Sequence, residues 1–456
     1  MFGKKKKKAA AAASSGGGEV ALPNLEFKPK IRDSQEAQGV LIACRGIEQY
    51  PQAVILLAKA LKNRADQLLL DYSQQGVAIR FRIDGIWENM PPMDRAGGDG
   101  ILVIYKKMCA LNPADRKSRQ KGVFNVKYKG EEWIFDFASQ GIPTGERVLL
   151  KVSPKKPVLT SLDALGMRSK MQESLRGLLN SADSMFLFSG MPGQGLPTTW
   201  RVGLESADRF VRDFHSIEDV ALNEPEMINI TSHHFDGAAG ETPMTILKSL
   251  LLKQPDVLVF PELPDKDIMK LIVEEVSEES RYAITRIHAN TAILALLKMM
   301  ATYKEQAREI VKVTCGVINQ RLIRRLCLEC RQPFKPNPQM LAKLGIPAGR
   351  VQVLYQPFIP PPPEQRVDAN GKPIEIEICK KCNGRGYYGQ AAIFELLSLN
   401  DEIRKAILKK PEPAAIAAVA KEQGFLSLQE EGVLAVATGL TSLQEVQRVM
   451  SPKKKK

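Results

Sequence analysis

Four short, largely apolar runs, Ser184–Ser189, Phe214–Ile217, Val257–Phe260 and Tyr282–Ile287, are separated by stretches with helical periodicity. A run of four to six such residues has no side that favours water. It suits a strand covered on both faces, as in a parallel sheet with helices above and below. Alternation of such strands with helices predicts an α/β domain built on a mostly parallel sheet, opened by a helix over Ser169–Leu179.

The sequence before this domain is patterned differently. Apolar residues at Ile47, Val54, Ile55, Leu56, Leu57 and Leu61 repeat at helical spacing. Gln67–Tyr72 and Gly76–Ile83 read as strands about a Ser-Gln-Gln-Gly turn, Gly100–Ala110 as a helix, and Gly122–Tyr128, Glu131–Phe137 and Arg147–Val152 as strands. That is an α+β domain ending near Pro154 and Pro157. After Leu326 come paired cysteines, the Pro-rich stretch Pro357–Pro363 and an Asn370-Gly371 turn, and from Asp401 to Met450 the pattern is helical. The expected organisation is a basic tail over 1–25, an α+β domain over 26–155 and an α/β domain over 156–325. A four-cysteine module over 326–392, a helical region over 393–450 and a second basic tail over 451–456 complete it.

The 456 residues hold 65 Lys+Arg against 51 Asp+Glu, a net charge of +14. Lys4–Lys8 and Lys453–Lys456 carry nine of those charges, so both tails read as solvated and disordered. An anionic lipid surface or a nucleic acid is the alternative target for such runs. Basic residues interleaved with aromatics are missing, which argues against specific nucleic-acid recognition. At 44% hydrophobic and 25% charged residues, the composition excludes a largely disordered chain. No apolar stretch reaches the length of a spanning helix, and Ala9–Ala13 is too short for a signal-peptide core. The expectation is a cytoplasmic chain with reduced cysteines.

Cys327-Leu-Glu-Cys330 and Cys379-Lys-Lys-Cys382 are two C-x-x-C pairs with 48 residues between them. Each pair presents two thiolates from a tight turn, and together they complete a closed tetrahedral zinc site with no position left for substrate. Cys44, Cys109 and Cys315 lack such partners and read as small apolar residues.

After the strand at 184–189 comes Gly190-Met-Pro-Gly193-Gln-Gly195-Leu196-Pro197-Thr198-Thr199. A phosphate loop reads G-x-x-x-x-G-K-[ST]: its amides cradle phosphate, its lysine meets the β/γ oxygens and its hydroxyl binds Mg²⁺. Gly190 and Gly195 are in register, but Leu196 stands for the lysine and Pro197 for the hydroxyl. Proline also removes a backbone donor. Thr198 follows one residue late, on another face of the helix. Taken alone, the segment is a turn rather than a nucleotide site.

Read together, these segments resemble the type II secretion and type IV pilus-assembly ATPase family from about residue 64 onward. Arg82-Ile-Asp-Gly85 is similar to its R-I-D-G, and Pro143–Arg147 to the element leading into the last strand of the domain before the motor. Gly190–Thr199 falls on its Walker A loop, Ile217–Asp219 on its aspartate box, Leu247–Leu263 on its Walker B segment and Ile287–Asn290 on its histidine box. The cysteine pairs with Gly386–Gly389 match its zinc module, and Gly439–Val446 its C-terminal signature.

The resemblance implies a RecA-like P-loop domain, a hexameric motor and a seat on an inner-membrane platform protein at the cytoplasmic face. It places Glu262 on the Walker B glutamate and Glu218 on the aspartate-box carboxylate. His288 and Arg147 are then candidates for nucleotide sensing. Gly190, Gly193, Gly195, Thr198 and Thr199 remain as a degenerate nucleotide loop, and Cys327, Cys330, Cys379 and Cys382 as zinc ligands.

The departures cluster where phosphate and metal would sit. G-E-I-R-D reads Pro261-Glu262-Leu263-Pro264-Asp265, S-D-I-H-I-E reads Ala65–Leu70 with leucines for the His and the Glu, and Ala138 stands where an arginine would reach toward nucleotide. Two readings follow. One is a pseudo-ATPase scaffold or regulator, in a homo- or hetero-hexamer, for which ATP and Mg²⁺ are doubtful cofactors. The other is an active ATPase with atypical phosphate ligands. Local alternatives are ion-paired carboxylates for Glu218 and Glu262, a hydrogen-bonded structural histidine for His288, and inter-domain ion pairs for Arg82, Arg147 and Arg201. His233 and His234 fit no metal-ligand spacing and read as surface residues.

Overall fold

The computed structural model describes residues 22–31, 33–222, 224–347, 349–362, 365–366 and 374–451. Both lysine runs and the Asn370-Gly371 turn lie outside them. The chain divides into two compact units, one up to Lys156 and one from Pro157.

The first unit runs β1 (Leu25–Pro29), α1 (Ser34–Arg45), α2 (Tyr50–Lys62), β2 (Ala65–Tyr72), β3 (Val77–Ile83), β4 (Ile86–Met93), α3 (Arg95–Met108), β5 (Gln120–Tyr128), β6 (Glu131–Ile142) and β7 (Gly145–Pro154). Its seven strands form one antiparallel sheet in the order β1-β5-β6-β7-β2-β3-β4. Strands β2, β3, β5, β6 and β7 alternate buried with exposed side chains, as a sheet covered on one face requires. The leucines that replace the family's His and Glu, Leu68 and Leu70, are buried among the core residues of this sheet. The expected tail 1–25 overlaps β1, which begins at Leu25 and pairs with β5.

The second unit opens with α4 (Ser169–Leu179), β8 (Ser184–Gly190), α5 (Leu196–Glu205), β9 (Phe214–Asp219), β10 (Thr231–Phe235), α6 (Pro243–Leu251) and β11 (Val257–Phe260). It continues with α7 (Lys266–Glu278), β12 (Tyr282–Ile287), α8 (Ala292–Thr302), α9 (Ala307–Val313) and β13 (Thr314–Leu326). The runs singled out in the sequence become β8, β9, β11 and β12. With β10 and β13 they make a parallel sheet in the order β10-β9-β11-β12-β8-β13.

Beyond β13 come β14 (Gln332–Phe334), α10 (Pro338–Lys343), β15 (Leu354–Gln356) and β16 (Tyr387–Ser398). Helices α11 (Asp401–Lys409), α12 (Pro413–Glu422), α13 (Leu428–Ala437) and α14 (Leu443–Met450) end the chain. β16 pairs antiparallel with β13 from Gly316↔Ser398 to Leu326↔Tyr387, which makes the sheet mixed. The cysteine-bearing segment is thus an excursion between two paired strands of the main sheet, and the 392/393 boundary expected from sequence falls inside β16.

Candidate functional site

The carboxyl ends of β8, β9, β11 and β12 share one edge of the sheet, where a doubly covered parallel sheet binds ligands. Gly190 ends β8, Glu218 is the penultimate residue of β9, Glu262 follows β11 by two residues, and His288 follows β12 directly.

The loop after β8 turns on two glycines with left-handed backbone, Gly193 and Gly195 at φ 77° and 81°, with Gly195 capping α5. Only glycine takes that left-handed conformation cheaply. Its side chains do other work. Leu196 is 2% exposed and belongs to the apolar cluster of Phe186, Phe188 and Trp200, so the position that should hold a cation at phosphate is part of the core. Pro197 is exposed, Thr198 half-buried and Thr199 buried. The amides of Thr198 and Thr199 are directed back to the Gly195 carbonyl, at 3.1 and 3.3 Å.

Two glutamines lock the loop to β13. The Gln194 side-chain oxygen accepts from the Leu322 amide at 2.9 Å, and its carbonyl accepts from Gln320 Nε2 at 2.6 Å. A Cβ on Gly195 would stand 3.1 Å from that same Nε2, so the space beside the loop is filled. Nothing in the spacing of these glutamines announces the contact.

His288 is exposed, and its Nδ1 donates to the Gly190 carbonyl at 2.9 Å, joining the histidine loop to the phosphate loop. Glu218 is 4% exposed; Ser216 Oγ donates to it at 2.5 Å and Ser232 Oγ at 3.3 Å, and His234 Nδ1 lies 3.9 Å away. It is a buried, hydrogen-bonded carboxylate. Glu262 is exposed.

Arg82, Arg147 and Arg201, for which inter-domain ion pairs are one alternative, each have an acidic partner within their own unit. Arg82 is bidentate on Asp66 and Arg147 reaches Asp71 at 2.6 Å in the first unit, whereas Arg201 holds Glu205 at 2.8 Å in the second. Each acid lies close enough, on the next strand or the next turn, to capture its arginine. Glu146, the second residue of β7, is buried with Lys106 at 2.7 Å and Arg116 at 3.0 Å, which ties α3 to the sheet.

His233 is also not the free surface residue that its spacing predicts. Parallel pairing of β10 with β9 stacks it on His215, with His215 Nδ1 and His233 Nε2 2.9 Å apart and Asp213 on His215 Nε2 at 2.8 Å. Asp213 fixes the Nε2–H tautomer of His215, which leaves Nδ1 to accept from His233. Burial, then the nearby His215, Lys253 and His234, hold the His233 pKa below its ordinary value of 6.5. The fold therefore favours neutral His233. Its stabilising contribution is complete above pH 6.5 and is lost as the pH falls through the lower folded-state value. Thermal melts of His233→Asn between pH 7.5 and 5.5 are expected to show less acid destabilisation than the parent chain. Equal slopes would remove His233 as the cause.

The four expected metal ligands do come together. Their sulfurs lie within 4.8 Å of one another, with Cys327–Cys379 at 3.8 Å and Cys330–Cys382 at 3.6 Å. The edge of a tetrahedron with metal–sulfur bonds of about 2.3 Å is about 3.8 Å, so the thiols fit one ion. The Gly386 amide donates to Cys382 Sγ at 3.3 Å, and the Cys327 amide to the Gly386 carbonyl at 3.0 Å. Cys44, Cys109 and Cys315 stand apart from this set; Cys315 is buried against the Tyr282 hydroxyl at 3.4 Å. No helix among the described residues is long and apolar enough to cross a membrane.

The family model described as type II/IV secretion system protein matches residues 47–448. Similar curated proteins include the type IV pilus assembly ATPase PilB of Thermus thermophilus, 26% identical over 393 residues, covering 86% of this chain and 42% of that one. Another is type II secretion system protein E of Dickeya dadantii, 28% identical over 399 residues, covering 86% and 74%. The chain thus spans less than half the length of the first relative and about three quarters of the second. Among solved structures, the ATPase DotB of Legionella pneumophila superposes with a TM-score of 0.55 at 10% identity, over 87% of this chain and 94% of that one. The pilus retraction motor PilT with bound ADP gives 0.51 at 16% identity, over 87% and 96%. At such identities the likeness speaks for the fold.

Proposed function

Because the chain belongs to the type II/IV secretion system protein family, we propose that it is a pseudo-ATPase of that family. It keeps the RecA-like framework of a secretion or pilus motor and acts as a scaffold or regulator, hydrolysing ATP poorly or not at all. The observation that carries this is Leu196, buried in the core at the position of the phosphate-binding lysine. Without that cation and the neighbouring hydroxyl, charge developing on a transferred phosphoryl group loses its main protein partners. The partners proposed are an inner-membrane platform protein at the cytoplasmic face and other subunits of a homo- or hetero-hexamer. Cys327, Cys330, Cys379 and Cys382 would hold one structural zinc ion, which would staple the excursion between β13 and β16. The lysine tails would add attraction to an anionic membrane surface, about 1 kcal/mol per residue near it.

The test is ATP turnover by the purified full chain. The expected result is no Mg²⁺-dependent activity above that of Glu262→Gln. Turnover that this substitution abolishes would overturn the reading.

One observation favours the alternative of an active ATPase with atypical ligands. Lys298 is exposed and its ammonium donates to the His288 carbonyl at 2.9 Å, which leaves a cation beside the histidine loop. That reading predicts micromolar ATP affinity by calorimetry, lost in Lys298→Ala.

A further inference from the structure

The loop between β12 and α8 is held at several polar groups, and the start of the helix after it is tied to a buried acid. His288 Nδ1 donates to the Gly190 carbonyl, and Lys298 to the His288 carbonyl, both at 2.9 Å. Asn319 Nδ2 donates to the Ala289 carbonyl at 3.0 Å and to Ser189 Oγ at 2.9 Å. Ala292, the first residue of α8, donates its amide to Glu395 at 2.5 Å. The other oxygen of the same carboxylate accepts from the amide of Leu428, the first residue of α13, at 3.0 Å.

Glu395 is 2% exposed and stands opposite Asn319 across the β13–β16 ladder. Both helices carry their own N-cap, Thr291 bonded to the Leu294 amide and Ser427 in a reciprocal box with Glu430. The first amide of each helix, which its cap side chain does not take, goes to Glu395, where the positive helix ends favour a carboxylate. Burial raises the Glu395 pKa, against the two amide bonds and Arg321, which lower it. Arg321 spans the same gap from β13, donating to the Val449 carbonyl near the end of α14 at 2.9 Å and to the Asn290 carbonyl at 3.4 Å.

We propose that Glu395 is a positioning residue that couples the C-terminal helices α13 and α14 to the phosphate loop through the histidine loop. A displacement of α13 moves the carboxylate, and with it the start of α8, His288 and the carbonyl of Gly190. Neither the side chain nor its partners need a nucleotide, so the coupling stands whether or not the loop turns over ATP.

Spatial continuity alone does not establish coupling. Hydrogen–deuterium exchange of the full chain, followed by mass spectrometry, tests it. Leu428→Pro removes the α13 donor, at a first helical position where proline fits, together with the buried Leu428 side chain; Ser427 is already extended there, at φ −69° and ψ 161°. Glu395→Gln is the conservative partner, keeping one acceptor. Leu397→Ala, a core truncation on the same face of β16, controls for general loss of stability.

In both test variants exchange is expected to rise about tenfold or more not only at residues 428–432 and 288–294 but also at 190–196, since a buried amide or carboxylate oxygen left without its partner costs about 1–3 kcal/mol. The control should raise exchange without singling out 190–196. If Leu428→Pro and Glu395→Gln change only residues 428–432 and 288–294, or if the control matches them at 190–196, Glu395 is a local helix cap and the coupling is refuted.

Discussion

If the four thiols hold zinc as proposed, Cys382→Ser is expected to strip the chain of that ion and to unfold the segment between Cys327 and Gly386, leaving the main sheet folded. Among its described residues, what else holds it is one small apolar cluster, in which Leu354 packs with Val436 of α13 and Val446 of α14. Its regular structure there is a two-stranded ribbon of three residues each, β14 with β15, and the six-residue helix α10. Leu341 and Leu354 are buried there, and Arg331 packs 4.0 Å over the Tyr355 ring while donating to the Gly439 carbonyl at 2.7 Å. Against this, metal binding in small zinc modules is worth of the order of 10 kcal/mol at neutral pH. Loss of one thiolate should therefore move the segment from folded to unfolded, while the sheet keeps its own core. Elemental analysis should fall from one zinc per chain to none, and limited proteolysis should open between residues 331 and 378. Cys315→Ser, outside the cluster, should change neither. A Cys382→Ser chain that keeps both its zinc and its protease resistance would return the four thiols to ordinary packing residues.

The cysteines were legible because tetrahedral ligation leaves a local signature, two residues between thiols, that survives any intervening fold. The central strands were legible for a related reason: burial on both faces forbids polar residues over the whole run. Where a strand is half-covered the pattern weakens. β4 holds Pro91 and Pro92 and lies at the sheet edge, where missing amide donors are tolerated, so no strand is predicted over it. β13 and β16 escaped because Asn319, Gln320, Arg321 and Glu395 interrupt their apolar pattern. Each of those polar residues is spent on a contact formed only after folding: Gln320 on the phosphate loop, Asn319 and Arg321 on the histidine loop, Glu395 on two helix ends. The pairing of His215 with His233 was invisible for the same reason, since it depends on β10 lying parallel beside β9. What the sequence did disclose about the nucleotide loop was its missing cation. Where the replacement goes, into the core rather than into solvent, is a property of the packing around α5.

That burial shapes the second large expectation, Leu196→Lys with Pro197→Thr. The pair should tighten binding of ATP with Mg²⁺ by about 10–100-fold, the worth of one charge-assisted hydrogen bond of about 1.5–3 kcal/mol, at a measurable loss of stability. The loss arises because Leu196 leaves Phe186, Phe188 and Trp200 short of a packing partner, at about 2–3 kcal/mol. A lysine there must run its alkyl stem along the same surface and bring its ammonium out at the loop mouth. Threonine at 197 restores an amide donor and a hydroxyl on the exposed side of the first turn. The framework should tolerate both, because Gly193 and Gly195 already give the loop its left-handed turns and Gln194 and Gln320 keep it tied to β13. Calorimetry on the folded double variant, beside a thermal melt, separates the two effects. Tighter binding with a lower melting temperature means that the loop was disarmed at these two positions alone. A folded double variant that binds no better would place the obstruction in the glutamine lock, and Gln320→Ala in the same background should then release it.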